Sequence, residues 1–180
     1  MNHELIIRLS FFITIFCSLA VWEHLQPRRG QTRPKKPRWF NNLTIALLDT
    51  VIVRLLIPLV PVSVALLAQE QEWGLLNVIL IPYPAEVVVA VIALDCTIYI
   101  QHLLFHITPF LWPFHLVHHV DLDLDVTSGV RFHPVEIIIS MGIKLTAVIV
   151  LGASPLSVLV FEILLNAASM FNHSNIFIPL

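Results

Sequence analysis

Long apolar runs, each close to the length that crosses a bilayer as a helix, fill most of this sequence. A spanning helix needs about 20 mostly apolar residues. Runs of roughly this length occupy residues 5–22, 43–67, 86–105, 135–151 and 155–171. The chain is 57% hydrophobic and 12% charged, whereas globular domains are about 45–50% apolar and about 25% charged. The sequence therefore predicts an all-α integral membrane protein with about three to five transmembrane or re-entrant helices.

The first apolar run predicts a signal-anchor helix within residues 1–22 rather than a cleaved signal peptide. No small-residue cleavage site follows it, and the basic residues come after the run instead of before it. Six of the ten Lys and Arg residues lie in the next segment, residues 23–42, at Arg28, Arg29, Arg33, Lys35, Lys36 and Arg38. Short loops rich in Lys and Arg remain in the cytoplasm. We therefore interpret residues 23–42 as a basic cytoplasmic linker, whose prolines argue against a continuous helix.

The orientation of the remaining runs follows from this linker. Residues 43–67 lead away from the cytoplasm, residues 86–105 lead back, and the last two runs form a hairpin that returns to the cytoplasmic face. Residues 75–81 are too short to span, so we predict an interfacial turn of helix there. On this topology residues 43–180 form one membrane-embedded domain with its histidines clustered at the cytoplasmic face, which in a bacterium would be that of the inner membrane.

Five histidines within eighteen positions form two clusters after the third run. His102 and His106 are four residues apart, and His115 is three and four residues from His118 and His119. In a helix these spacings place the side chains on one face. Ionisable residues are costly in the membrane zone and mark function when they occur together, here a metal site. Imidazole suits Zn, Fe, Cu and Ni, and five ligands exceed the three of a catalytic zinc site, which favours two metals.

Five other residues are candidates for supporting roles. His133 and His173 are expected at the same membrane face, either as ligands or as neighbours of ligands. Asp95 precedes His102 by seven positions and falls near its helical face, where ordinary helix contact is an equal alternative. Asp121 and Asp125 are candidate acceptors for the second ring nitrogen of ligating histidines, the alternative being acids of a solvated loop.

Taken in order, these motifs resemble those of the fatty acid hydroxylase/sterol desaturase superfamily. The resemblance runs from Trp22 to the end of the chain. It rests on Asp95-xxx-Tyr99-xx-His102-xxx-His106, Leu111-Trp112-xx-His115-xx-His118-His119, Asp125-x-Thr127-Ser128-Gly129-x-Arg131-Phe132-His133-Pro134-x-Glu136 and Phe171-x-His173-Ser174-Asn175.

The resemblance implies a specific chemistry and a specific set of ligands. Members of the superfamily use a non-haem di-iron centre and dioxygen to hydroxylate or desaturate fatty acyl or sterol C–H bonds. Their electrons come from a small redox protein of ferredoxin or cytochrome type. We expect a lipid substrate, a membrane environment and no nucleic-acid partner. The iron ligands carried over to this chain are His102, His106, His115, His118, His119 and His173, with His133 as a further candidate.

The sequence departs from the family pattern in two places. Leu103 stands where the family commonly has an arginine. The family also has a further HxxHH segment after its His-Ser-Asn motif, and the sequence ends at Leu180 before any such segment. We therefore expect a domain that lacks its C-terminal HxxHH segment, with one iron under-coordinated.

Three other functions remain open at this point. The first is an inactive relative or fragment that serves as a scaffold. The second is a membrane haem protein, which would need isolated histidines at matching depth instead of HxxHH. The third is a zinc hydrolase, whose HExxH-type sites contain a glutamate base that neither histidine cluster has.

Overall fold

Apolar helices account for most of the backbone in the computed structural model, which describes residues 2–179. In chain order they are α1 (Asn2–Leu25), α2 (Lys35–Leu56), α3 (Pro61–Glu70), α4 (Leu75–Val78), α5 (Tyr83–Ile107), α6 (Trp112–His119), α7 (Pro134–Leu151) and α8 (Pro155–His173). A 3₁₀ turn, Ser128–Val130, lies in the loop between α6 and α7. Among the described residues, β pairing is limited to an isolated bridge between Pro27 and Ile176.

Five of these helical segments are long and apolar enough to cross a membrane. They are α1, the stretch from α2 to α4, α5, α7 and α8. Their mean hydropathy ranges from 1.4 to 2.5 over the best 18-residue windows. The prediction of an all-α membrane protein with three to five spanning helices is therefore confirmed.

The connections between the helices gather at two opposite ends of the bundle. At one end the loop after α3 lies against the turn between α7 and α8, where a Cβ added to Gly152 would come within 2.5 Å of the Trp73 carbonyl oxygen. Gly152 also has a φ of +68°, the left-handed conformation that suits a helix C-terminus. At the other end the Glu23 carboxylate on α1 accepts the backbone N–H groups of Val126 and Asn175, each at 2.7 Å. The predicted α7–α8 hairpin thus runs from one end to the other and back.

Helix α2 begins earlier than expected, inside the segment interpreted as a linker. The prolines do interrupt the helix, since residues 26–34 form a loop, but α2 starts at Lys35 and includes Pro37. Proline is tolerated in the first turn because the N–H it lacks would have no intrahelical acceptor there. The second apolar run is also split, because Pro58 removes its preceding residue, Ile57, from the helical conformation (φ −128°).

Small residues and buried acids join the helices. Ala65 on α3 and Ala90 on α5 are completely buried, and such residues allow helices in a membrane to approach closely. Glu86 on α5 accepts hydrogen bonds from the Ser154 backbone N–H at 3.1 Å and from the Ser157 hydroxyl at 3.1 Å, which fixes the start of α5 to the start of α8. These contacts fix the end of α5 that lies opposite its two histidines.

Candidate metal centre

Four imidazoles from two helices converge at the end of the bundle that carries Glu23. His102 and His106 come from the last turns of α5, and His115 and His119 come from α6. The Nε2 atom of His106 lies 3.1 Å from that of His102 and 3.2 Å from that of His115, and the Nε2 atoms of His115 and His119 are 3.0 Å apart. One nitrogen from each of the four lies within 4.8 Å of the others. The predicted pairing of the two clusters around a common point is present.

A short turn between α5 and α6 produces this convergence. Helix α5 ends just before Thr108-Pro109, and α6 begins at Trp112-Pro113, the start expected from the proline. The Thr108 carbonyl accepts the N–H groups of Leu111 and Trp112, each at 3.0 Å, which reverses the chain within four residues. Because His115 and His119 are one helical turn apart, as are His102 and His106, the reversal brings two imidazole pairs face to face.

The spacing of neighbouring nitrogens in this group fits a common metal ion. Imidazole–metal bonds of about 2.1 Å place adjacent nitrogens about 3.0 Å apart in an octahedral arrangement and about 3.4 Å apart in a tetrahedral one. The observed Nε2–Nε2 distances of 3.0–3.2 Å lie within that interval. The donor set is entirely imidazole, which suits Fe and Zn and disfavours Mg and Ca.

A second imidazole pair lies beside the first four. The rings of His118 on α6 and His173 at the end of α8 have centroids 4.3 Å apart. The Arg131 carbonyl accepts a hydrogen bond from His118 Nδ1, and the Ser169 carbonyl accepts one from His173 Nδ1, both at 2.8 Å. Each bond fixes the proton on Nδ1 and leaves Nε2 free to bind a metal.

The second pair adjoins the first group closely enough to form a neighbouring subsite. The His118 ring centroid is 5.0 Å from that of His119 and 5.5 Å from that of His115. Phe132 stacks against the other side of the His118 ring, with centroids 4.4 Å apart. The six histidines predicted as ligands therefore lie in one continuous cluster.

Glu136 contacts the ring nitrogen of His115 that does not face the other imidazoles, a role that the sequence did not reveal. Its Oε1 atom is 2.8 Å from His115 Nδ1, and both side chains are buried. A carboxylate only accepts hydrogen bonds, so Nδ1 carries the proton and Nε2 faces the other imidazoles. The available signals were an acid in the first turn of a mostly apolar helix and the place of Glu136 at the end of the His133-Pro134-x-Glu136 motif.

His118 and His119 on α6 are neutral at pH 7, because their surroundings lower the pKa of each. Burial and the adjacent His173 lower the pKa of His118 to about 3. Burial, followed by the neighbouring His115 and His106, lowers the pKa of His119 to about 4. Neutral imidazole is the form that binds metals, so these side chains need lose no proton to bind one at pH 7.

His133 lies outside the cluster and caps a helix. Its Nδ1 atom accepts the backbone N–H of Val135 at 3.1 Å, which satisfies one of the free N–H groups at the start of α7. Its ring packs against Phe114, with centroids 5.1 Å apart. The contacts of His133 are thus those of a helix cap.

The three aspartates proposed as partners of the histidines have other surroundings. Asp95 is exposed on α5. Asp121 accepts from Arg38 Nε at 3.1 Å, and Asp125 accepts from Arg38 Nη2 at 2.8 Å. The planar guanidinium group matches carboxylates better than an imidazole does. Backbone carbonyls already accept the Nδ1 hydrogen bonds of His118 and His173. In the structure Asp121 and Asp125 therefore anchor the start of α2.

Comparison with protein families gives a match over the C-terminal half of the chain. The family model described as fatty acid hydroxylase matches residues 87–180, the part of the chain that contains all the clustered histidines and Glu136. No curated protein and no solved structure matches the chain.

Proposed function

The chain belongs to the fatty acid hydroxylase family, and from this premise we propose that it hydroxylates or desaturates a lipid C–H bond with dioxygen at a histidine-ligated di-iron centre. The observation that carries the proposal is the convergence of imidazoles from α5, α6 and α8 at one end of a membrane bundle. In this assignment His102, His106, His115 and His119 hold one iron, while His118 and His173 contribute to a second.

The side chains around the cluster have defined tasks in this proposal. Bound iron supplies the activation of dioxygen. Glu136 keeps the proton of His115 on Nδ1, and the carbonyls of Arg131 and Ser169 do the same for the other pair. Phe132 and Trp112, whose rings stack on His118 and His119 respectively, limit the access of water. The ligand nitrogens thus stay oriented and shielded while substrate enters.

A lipid substrate reaches the cluster from the bilayer side of α5. Leu103 and Ile107, which flank His102 and His106 along the helix, are 44% and 64% exposed. Exposed apolar side chains next to the histidines offer an acyl chain or sterol a surface of matching polarity. Electrons come from a redox partner of ferredoxin or cytochrome type.

We place the histidine end of the bundle at the cytoplasmic face, which in a bacterium is the face of the inner membrane. The loop 26–34, rich in arginine, lies at this end, and basic loops stay in the cytoplasm. Gly30 has open space around it, so Gly30→Cys in a Cys17→Ser, Cys96→Ser background gives a single accessible thiol. A membrane-impermeant maleimide added to intact cells should leave it unlabelled; labelling without lysis would reverse the orientation.

Isotopic oxygen tests the reaction itself. The full chain in nanodiscs made from a total lipid extract, supplied with a reductant and ¹⁸O₂, should give lipid alcohols that carry ¹⁸O or lipids that have lost two hydrogens. His118→Ala should lower product more than about 100-fold, because ligands matter more than their supporting groups, which are worth about 10–100-fold. His24→Ala, an exposed histidine in the last turn of α1, is the matched control and should keep activity. Equal product from both variants, or product without oxygen, would contradict the proposal.

A further inference from the structure

An open cavity of about 220 Å³ lies next to the metal centre and is lined by arginines. Arg33 and Arg38, from the loop before α2 and its first turn, form one side, and Arg131 forms another. Val120, which follows His119 directly, also lines it. Arg131 connects the two sites as well, because its carbonyl is the acceptor for His118 Nδ1. The cavity therefore adjoins the histidine cluster.

The cavity contains one arginine without a carboxylate partner and two N–H donors that are not used. Three arginines and one aspartate, Asp121, line it. Arg38 is paired with Asp121 at 3.1 Å and with Asp125 at 2.8 Å, whereas Arg33 has no carboxylate partner among the described residues. Arg38 Nη1 and Arg131 Nε are buried, and no acceptor among residues 2–179 takes their N–H groups. Leaving a buried N–H unpaired costs about 1–3 kcal/mol, and more when the group is charged. These two groups would gain an acceptor if the arginine side chains turned towards a ligand in the cavity.

Arg33 is held at the cavity while its guanidinium group stays free of described partners. Its backbone N–H donates to Asp123 Oδ2 at 2.6 Å, and the N–H of Thr32 donates to the same oxygen at 2.8 Å. Asp123 thus fixes the loop before α2. The side chain of Arg33 makes no hydrogen bond or ion pair within the described part of the chain, so it can meet a ligand without breaking an existing contact.

We propose that this cavity binds the phosphate group of an anionic lipid, and that such lipids are the substrate class of the hydroxylase. Several guanidinium groups around one cavity suit a phosphate, whose oxygens accept several charge-assisted hydrogen bonds at once. The position at the membrane surface, adjacent to the histidines, lets a lipid place its headgroup here and its chain near the metal. The substrate statement rests on the proposed function, whereas the binding statement does not.

Binding by the full chain in detergent micelles tests the site without iron, reductant or oxygen. Calorimetric titration with dihexanoyl phosphatidic acid should show saturable binding, and dihexanoyl phosphatidylcholine should bind much more weakly. Arg33→Gln should weaken binding of the phosphatidic acid about tenfold, the effect of losing one charge-assisted hydrogen bond. Lys36→Gln removes the same charge from an exposed position on α2 outside the cavity, and it should change affinity less than about twofold, the effect of a screened surface charge.

Three results would overturn the site. Equal weakening by Arg33→Gln and Lys36→Gln would mean that the basic segment attracts anions without a defined cavity. Inorganic phosphate that binds as tightly as phosphatidic acid would identify a site for free phosphate. An absence of saturable binding would remove the site altogether.

Turnover separates the two parts of the proposal. With an anionic lipid substrate, Arg33→Gln should raise KM about tenfold and leave kcat near the wild-type value, because the headgroup contact is made equally before and during reaction. Intact binding of phosphatidic acid with no oxygen-dependent product from any lipid would count against the proposed function. Intact binding with product only from neutral lipids would count against the substrate class.

Discussion

Glu136 links the metal centre to the interior of the bundle through a single side chain. One carboxylate oxygen accepts the hydrogen bond from His115 Nδ1, and the other, Oε2, is buried with no partner among the described residues. Nearby on α2, Asp49 is 5% exposed, and its two carboxylate oxygens likewise have no described partner. Buried carboxylates are costly without a compensating charge. A cation held by His115 would supply that charge, so the metal and Glu136 would stabilise each other.

Replacing Glu136 tests this link at the residue scale. Glu136→Gln preserves the size of the side chain but removes the charge that fixes the His115 tautomer. We expect metal affinity to fall about 10–100-fold, the usual effect of losing the group behind a ligating histidine. The measurement is retention of iron against a chelator of known affinity. Glu70→Gln, an exposed acid at the end of α3, is the matched control. Affinities that are equal for both variants would show that His115 needs no carboxylate.

The spacing of the histidines predicted the candidate ligands but not the groups that hydrogen-bond to them. The four-residue intervals within His102/His106 and within His115/His119 place each pair on one helix face, whereas the turn between α5 and α6 brings the two pairs together. The partner of His115 depends on how α7 packs against α6, a tertiary contact that no local pattern contains. For the same reason the sequence offers Asp121 and Asp125 as candidate acceptors for histidines or as loop acids, whereas their partner in the structure is the Arg38 guanidinium group on α2.

At the scale of elements, α1 is part of the site's framework as well as a spanning helix. Glu23, in its last turn, is 4% exposed and accepts two backbone N–H groups, those of Val126 before the 3₁₀ turn and Asn175 after α8. Lys35, at the start of α2, lies 4.0 Å from its other oxygen. One carboxylate thus holds together the loop that follows α6 and the segment that follows His173.

Loss of this tie should loosen both segments. Glu23→Ala leaves two buried N–H groups without an acceptor, and we expect unfolding to become easier by on the order of 3 kcal/mol. Glu23→Gln keeps an acceptor oxygen of the same reach, so it should recover at least about half of that loss. The measurement is the unfolding free energy of the detergent-solubilised chain. Equal destabilisation by both variants would show that the charge of Glu23 matters more than its hydrogen bonds.

Hydropathy predicted which elements exist, and proline chemistry set where they end. The start of α6 at Trp112 followed from Pro113. The start of α2 did not follow from Pro37, because a proline three residues into a helix and one in a loop look alike in sequence. The role of Glu23 was also hidden, since its partners are 103 and 152 positions away.

The whole molecule is a bundle with unlike ends. One end carries the glycine turns and an apolar core of valine, alanine, leucine and phenylalanine, while the other carries the histidines, the arginine cavity and the tie from α1. Alternating apolar runs and the basic segment predicted that the histidines share one end. The contacts described at the two ends of the bundle agree with helices that run in alternating directions. The account therefore depends on imidazoles from three helices binding iron at one end.

Elemental analysis of the purified full chain and three variants tests that dependence most directly. The account predicts stoichiometric iron in the wild-type chain and less iron in His106→Ala and His118→Ala, because each removes a nitrogen from the cluster. His133→Asn keeps a side chain that caps α7, and it should retain the wild-type iron content. Stoichiometric zinc without iron, or iron that is unchanged in His106→Ala and His118→Ala, would contradict the account.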